Sequence, residues 1–358
     1  MVSFTDALLS VLRDDNLYKL VGLDVPKRGI ARRWRHRTLC RSRPAGIRAK
    51  LSVMKPCSLL IAFMLAVSAS ATWAKGKPAK EPRPTQAEIN ALVERSKHNL
   101  VFVEGGEFMM GDFGAIHSPD ELPYTAQPDN KPLHKVTLDS FSISKYKVTY
   151  AEYDLYTRAN GLPPIAQSDF ERPYRIPEAP AGVPWQGAKN YCLWLRKLSK
   201  LPFDLPTEAQ WEYAARARGQ FLVFPTDDGY YREDVNVPSY ETLKKRGNDG
   251  FVYPIGQYPP NPIGLYDLAS NGREWMNDWF SETTYREPNR KNPTGPKSGK
   301  EKVLRGLDLG SRDTGMSMYR NKALPTNRVL NLGDGLVLTS SYVSKTFRCA
   351  VQSPTPVR

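Results

Sequence analysis

The chain has 358 residues and a formal net charge of +14, with 25% charged residues, 40% hydrophobic residues and four cysteines. Residues 1–53 hold 12 Lys or Arg against 4 Asp or Glu, and residues 75–358 keep only +5, so nucleic-acid binding, which needs a basic stripe on the folded domain, is set aside.

Residues 1–53 contain the cluster Arg32-Arg-Trp-Arg-His-Arg37 without sustained apolar periodicity, and read as an upstream extension behind a misplaced start codon. Met54-Lys55 is followed by an apolar run from Leu59 to Val67 and by the small-residue endings Ala69-Ser-Ala71 and Thr72-Trp-Ala74. This is the order of a secretory signal peptide over residues 54–74, cleaved after Ala71 or Ala74. The run is too short to span a membrane. The expected location is therefore periplasmic or secreted, with no transmembrane segment in the mature chain. Cleavage leaves Cys192 and Cys349, an even pair that stands either as two buried thiols or as a disulfide.

Residues 75–99 read as a linker, Pro- and Lys-rich to about residue 85, with a short helix from Glu88 to Lys97. Gly105-Gly106 between two apolar runs predicts a hairpin. Val136, Leu138, Phe141 and Ile143 then alternate as strand positions, with an irregularity near Asp139. Thr149-Tyr-Ala-Glu152 is a capping box, so a helix starts there and runs to about Arg158, with Gly161 past its end. Ala188, Tyr191, Cys192, Leu195 and Leu198 mark a second amphipathic helix. Thr207-Glu-Ala-Gln210 is another capping box, opening a helix over Glu208 to Ala217 that closes at Gly219 and buries Trp211, Ala214 and Ala215. From Phe221 onward Gly, Pro, Asn and Asp predict ordered loops and short strands. The runs Lys244-Lys-Arg246 and Lys297 to Lys302 read as solvated loops. The fold class is α+β: a single loop-rich domain over residues 100–352, followed by a tail over 353–358.

Four blocks carry more than structure: Asn261-Pro-Ile-Gly-Leu-Tyr-Asp-Leu-Ala-Ser-Asn-Gly-Arg-Glu-Trp-Met-Asn-Asp-Trp279, Leu205-Pro-Thr-Glu-Ala-Gln-Trp-Glu-Tyr-Ala-Ala-Arg216, Leu304-Arg-Gly306 and Thr346-Phe-Arg-Cys-Ala350. In order and spacing they resemble the formylglycine-generating enzyme (sulfatase-modifying factor) family. The resemblance implies a fold distantly similar to C-type lectins and a bond between Cys192 and Cys349. It also implies two calcium sites, one from Asn236, Val237, Asp249 and Phe251, the other from Asp267, Ser270, Gly272 and Glu274. Carboxylates, amides and main-chain carbonyls suit calcium, which takes six to eight oxygens. One departure is Arg273, where an aromatic residue is usual before the Glu-Trp pair.

Family chemistry oxidises a substrate cysteine with two active-site thiols that hold copper. Soft thiolates are needed because they bind monovalent copper and exchange with sulfur ligands. By spacing, Ser311 and Met316 stand in those two positions here, and Leu307-Asp308 replaces a Gly-Ser pair. Serine is a poor copper ligand and a thioether forms no disulfide, so no copper is expected. A nonheme-iron alternative would draw on His117, His134 and Asp120 or Glu121. Surface histidines are the plainer reading. No Ser-His-Asp arrangement or phosphate-cradling loop is indicated. The expectation is an exported, noncatalytic domain that binds another protein through the loops beside the former active site, with Tyr319, Arg320 and Arg328 as candidates. Family relatives imply an immunity protein against a toxic effector delivered by type VI secretion, or an accessory factor of that system. The alternative is a metal-dependent oxidase using iron or copper.

Overall fold

The computed structural model describes residues 82–246, 252–287, 290–307, 315–326, 329–331, 337–339 and 341–357. The proposed extension, leader and cleavage site lie outside them. Described elements belong to one compact unit, Lys80–Arg358. In chain order they are α1 (Gln86–His98), β1 (Leu100–Val103), β2 (Gly106–Met110), α2 (Gly114–His117), β3 (His134–Leu138), β4 (Phe141–Ser144) and α3 (Tyr150–Ala159). After these come α4 (Trp185–Ser199), β5 (Phe203–Asp204), α5 (Glu208–Ala215), α6 (Tyr240–Lys245), β6 (Arg273–Trp279) and β7 (Lys302–Arg305). The chain closes with β8 (Asn321–Ala323), β9 (Val329–Asn331), β10 (Val337–Thr339), β11 (Lys345–Thr346) and β12 (Ala350–Val351).

Both predicted capping boxes form. The hydroxyl of Thr149 accepts the Glu152 amide, and that of Thr207 accepts the Gln210 amide, while each third-position side chain reaches back. Such caps satisfy amides that the helix itself leaves unpaired. A third box, Thr85 with Glu88, starts α1. This corrects the linker reading of residues 86–99: Leu92 and Val93 of α1 are buried, so the segment is docked and not tethered. In the predicted tail, Val357 also packs against the core. Helix α5 ends at Ala215, two residues before the expected end.

Gly105-Gly106 is a bend and not a hairpin turn. β1 pairs with β4 and β2 with β3, in one antiparallel register that continues across the break. A side chain at Gly105 would meet the Leu138 carbonyl at 2.4 Å, so the opposing strand crosses too closely for a Cβ there. The predicted irregularity near Asp139 is the other half of this bend.

Two antiparallel or mixed sheets frame the functional region. One has the order β1-β4-β12-β5, the other β11-β6-β7-β8, with β11 parallel to β6. One apolar cluster packs α3 and α4 tyrosines against Phe347 and Trp275. The second packs α5, including Trp211, against β2, β3 and Met276. Cys192 of α4 and Cys349, next to β12, are joined by a disulfide. Among the described residues no helix is long and apolar enough to cross a membrane.

Candidate functional site

Arg305 ends β7 at the start of the region where the thiols are expected. Its guanidinium is fully buried and donates to Glu208 Oε1 at 2.8 Å, to Glu212 Oε2 at 2.8 Å and to the Ser317 carbonyl. Glu208 and Glu212 stand one helical turn apart on α5, so one cation reaches both. Glu208 also accepts two bonds from Arg320, at 2.7 and 2.9 Å. Glu212 accepts from Arg216 at 2.9 Å and from the Gly111 amide at 2.9 Å. Burial alone would raise the Glu208 carboxyl, but the Arg320 and Arg305 charges hold it below its ordinary value. Around Arg305 the charged groups thus form one buried ion network.

This network corrects one partner-surface candidate. Arg320 is 3% exposed, and its remaining donors go to the carbonyls of Asp129 and Ser281. A guanidinium with every face engaged cannot serve as a docking residue. Tyr319 is half-buried and its hydroxyl accepts from the Gln127 amide at 2.9 Å. Arg328 and Ser311 lie outside the described residues; Met316 is half-buried.

Two further titratable groups border the network. Asp278 on β6 is buried and accepts the Glu208 amide at 2.9 Å; burial, then the Glu208 charge, pushes its carboxyl up to about 7. Lys302 was expected in a solvated loop but is 3% exposed. Its ammonium sits 3.9 Å and 3.8 Å from the ring centres of Trp185 and Trp279 and donates to the Asn277 carbonyl, and burial pulls it down to about 8. Lys244 to Arg246, by contrast, are exposed at the end of α6.

Asp278 has a measurable consequence. A raised acid contributes stability below its unfolded value, near 4, and loses it as pH rises towards its folded value. Between pH 4 and 7, D278N is expected to gain stability relative to the native chain by up to about 1.4 kcal/mol per pH unit. Parallel denaturant titrations of both proteins across that range measure it. A flat difference would show that the carboxyl is not held protonated.

The predicted calcium residues divide. Asp249 and Phe251 lie outside the described residues. Asn236 uses its oxygen to accept the Arg232 amide at 2.9 Å and its nitrogen to reach Asp227, Asp228 and the Tyr230 carbonyl. The Val237 carbonyl accepts the Asp234 amide at 2.7 Å. Both described members are thus engaged in tying their own loop.

Asp267, Ser270, Gly272 and Glu274 do come together, but around a protein cation. Lys147 donates to the Ser270 and Asn271 carbonyls at 2.9 and 3.0 Å and to that of Gly272, and lies 3.8 Å from Glu274. Glu274 is a strand residue whose two oxygens accept from Arg348 at 2.6 and 2.9 Å. With Lys147 on the three carbonyls and Arg348 on both Glu274 oxygens, these residues do not fit calcium as they stand.

The iron alternative also lacks its cluster. His117 is exposed on α2 against the Tyr124 hydroxyl, whereas His134 is buried on β3 with Nδ1 at the Pro132 carbonyl and its ring on Tyr285. This corrects the surface reading of His134, and burial holds its imidazole below the usual value. Asp120 and Glu121 are exposed. Among the described residues no group of three or more His, Cys, Asp or Glu side chains gathers as a metal site.

Sequence reasoning missed Lys147, Glu208, Glu212, Arg348 and Asp278. A usable signal existed for the two glutamates: they flank Trp211 on a helix predicted to bury that face.

The Sulfatase-modifying factor enzyme 1-like domain profile matches residues 85–333. A formylglycine-generating enzyme of Streptomyces coelicolor is 30% identical over 319 residues, covering 74% of this chain and 92% of that protein. A protein of Chlamydia pneumoniae named serine/threonine-protein kinase pkn1 is 32% identical over 228 residues; the match takes in 58% of this chain but spans only 32% of that protein's length. The solved structure of PvdO from Pseudomonas aeruginosa superposes with a TM-score of 0.55 at 29% identity, covering 71% of this chain and 94% of that one. With the α+β architecture and its framing sheets, these matches place the chain in the Sulfatase-modifying factor enzyme 1-like family.

Proposed function

We propose that this chain is an exported, noncatalytic member of its family that binds another protein through the surface over the former thiol region. The observation that carries the reading is the fate of the thiols. After residue 57 the only cysteines are Cys192 and Cys349, and these are bonded to each other. No free thiol remains in that part of the chain to hold copper or to engage a substrate sulfur. The Arg305 network supports the same reading, because it spends the charged groups of the region on one another.

The partner of this reading is a toxic effector delivered by type VI secretion, with the chain as its immunity protein or as an accessory factor. The leader-like order of residues 54–74, charged, then apolar, then small, supports a periplasmic or secreted location. The deciding experiment isolates the tagged protein from periplasm under native conditions and measures its partner stoichiometry, its bound copper and iron, and its amino terminus. A stoichiometric protein partner, negligible redox metal and a terminus after Ala71 or Ala74 are expected. Repeated absence of a partner together with tightly bound redox metal would overturn the reading in favour of a metal-dependent oxidase.

A further inference from the structure

We propose that the Lys147 ammonium is itself the cation of the Asp267 to Glu274 site, built into the chain where a metal ion would otherwise brace the fold. The turn before β6 shapes the receptor. Asp267, Asn271 and Gly272 have φ values of 60°, 61° and 92°, which turn the carbonyls of three consecutive residues, Ser270 to Gly272, towards one point. The Asn271 side chain holds the turn by bonding the Tyr253 amide and carbonyl at 2.9 and 3.0 Å. A Cβ at Gly272 would meet the Thr346 methyl at 2.8 Å, so a larger residue would push the turn off β11. Three carbonyls match the three donors of an ammonium.

Charge excludes a dication beside this lysine. Glu274 is already neutralised through both oxygens by Arg348, whose other donors go to the Ser144, Lys145 and Tyr266 carbonyls. Asp267 gives one oxygen to the Gly256 amide, and its other oxygen is buried without a hydrogen bond. A calcium ion here would need six to eight oxygens. It would also have to displace Lys147 while sitting beside Arg348. A side-chain cation leaves the site filled whenever the chain is folded, at any calcium concentration.

The tie is long-range. Lys147 lies two residues before the N-cap of α3, so its ammonium fastens the β4–α3 connection to the turn preceding β6. Arg348, between β11 and β12, fastens the same turn to the C-terminal segment. The three segments are thereby clamped without a metal at this position.

Calcium stoichiometry and thermal midpoint of the native chain, D267N and K147A test the proposal. The native chain and D267N are expected to bind equal numbers of calcium ions. K147A, which vacates the carbonyls, is expected to melt lower, to bind one ion more than the native chain, and to recover about 5 °C in millimolar calcium. Loss of a bound calcium ion on D267N substitution, or a folded K147A that neither loses stability nor gains an ion, would overturn it. Should K147A fold only in calcium, that dependence supports the proposal; should it not fold at all, the comparison of D267N with the native chain decides.

Discussion

Replacing Arg305 by methionine is expected to lower the thermal midpoint by about 10 °C. The substitution keeps much of the aliphatic volume and removes the charge. It takes one of two cations from each of Glu208 and Glu212, whose side chains are buried and which receive 2.8 Å bonds from Arg305. Breaking a buried ion pair from one side costs about 3 to 5 kcal/mol, and the bonds that Glu208 keeps to Arg320 and Glu212 to Arg216 place the loss at the lower end of that range. In a domain of this size each kcal/mol moves the midpoint by about 2 to 4 °C. R305K should recover little, since one ammonium lacks the planar fork that reaches two carboxylates. Adding E212Q to R305M should restore part of the loss, and the double-mutant cycle separates that coupling from packing. An unchanged midpoint in R305M, measured by calorimetry at neutral pH, would mean that water reaches the network.

The second large effect concerns the bond between Cys192 and Cys349, which are 157 residues apart in sequence. Closing a loop of that length restricts the unfolded chain by about 5 kcal/mol in the chain-entropy account. The double variant C192A/C349A is expected to melt about 10 °C below the native chain, with most of the gap closing when the native protein is unfolded under reducing conditions. Both sulfurs lie in the tyrosine-rich cluster around α3 and α4, so alanine also leaves a small cavity. Equal midpoints for the oxidised native chain and the double variant would show that the cross-link adds nothing.

Local signals read well and long-range ones read poorly. Thr149 with Glu152 and Thr207 with Gln210 marked where α3 and α5 begin, because a cap is made by residues three positions apart. The same local logic failed at Gly105-Gly106. Two glycines between apolar runs fit a turn equally well as a strand that must bend around a close neighbour, and only the opposing residues Leu138 to Ser140 decide which. Lys302 shows the cost of reading charge without partners. In a Lys-rich run it looked solvated, yet two tryptophans from separate elements enclose it.

Within the site, the blocks containing Asp267, Glu274, Arg305 and Arg348 were all visible in the sequence, but not which charge would meet which. Arg320 drew attention as an exposed anchor and is instead the second cation on Glu208.

The sequence by itself determined the family, the α+β class, the helix starts and the absence of the two thiols, because these rest on residue identity and on spacings of a few positions. Tertiary structure alone decided which buried charges meet. Glu274 is paired by Arg348, 74 residues away, and the carbonyls of its turn are held by Lys147, more than 120 residues away. Burial makes an unpaired charge costly, so each buried ion must find whichever opposite charge the fold brings beside it, and no local spacing records that choice.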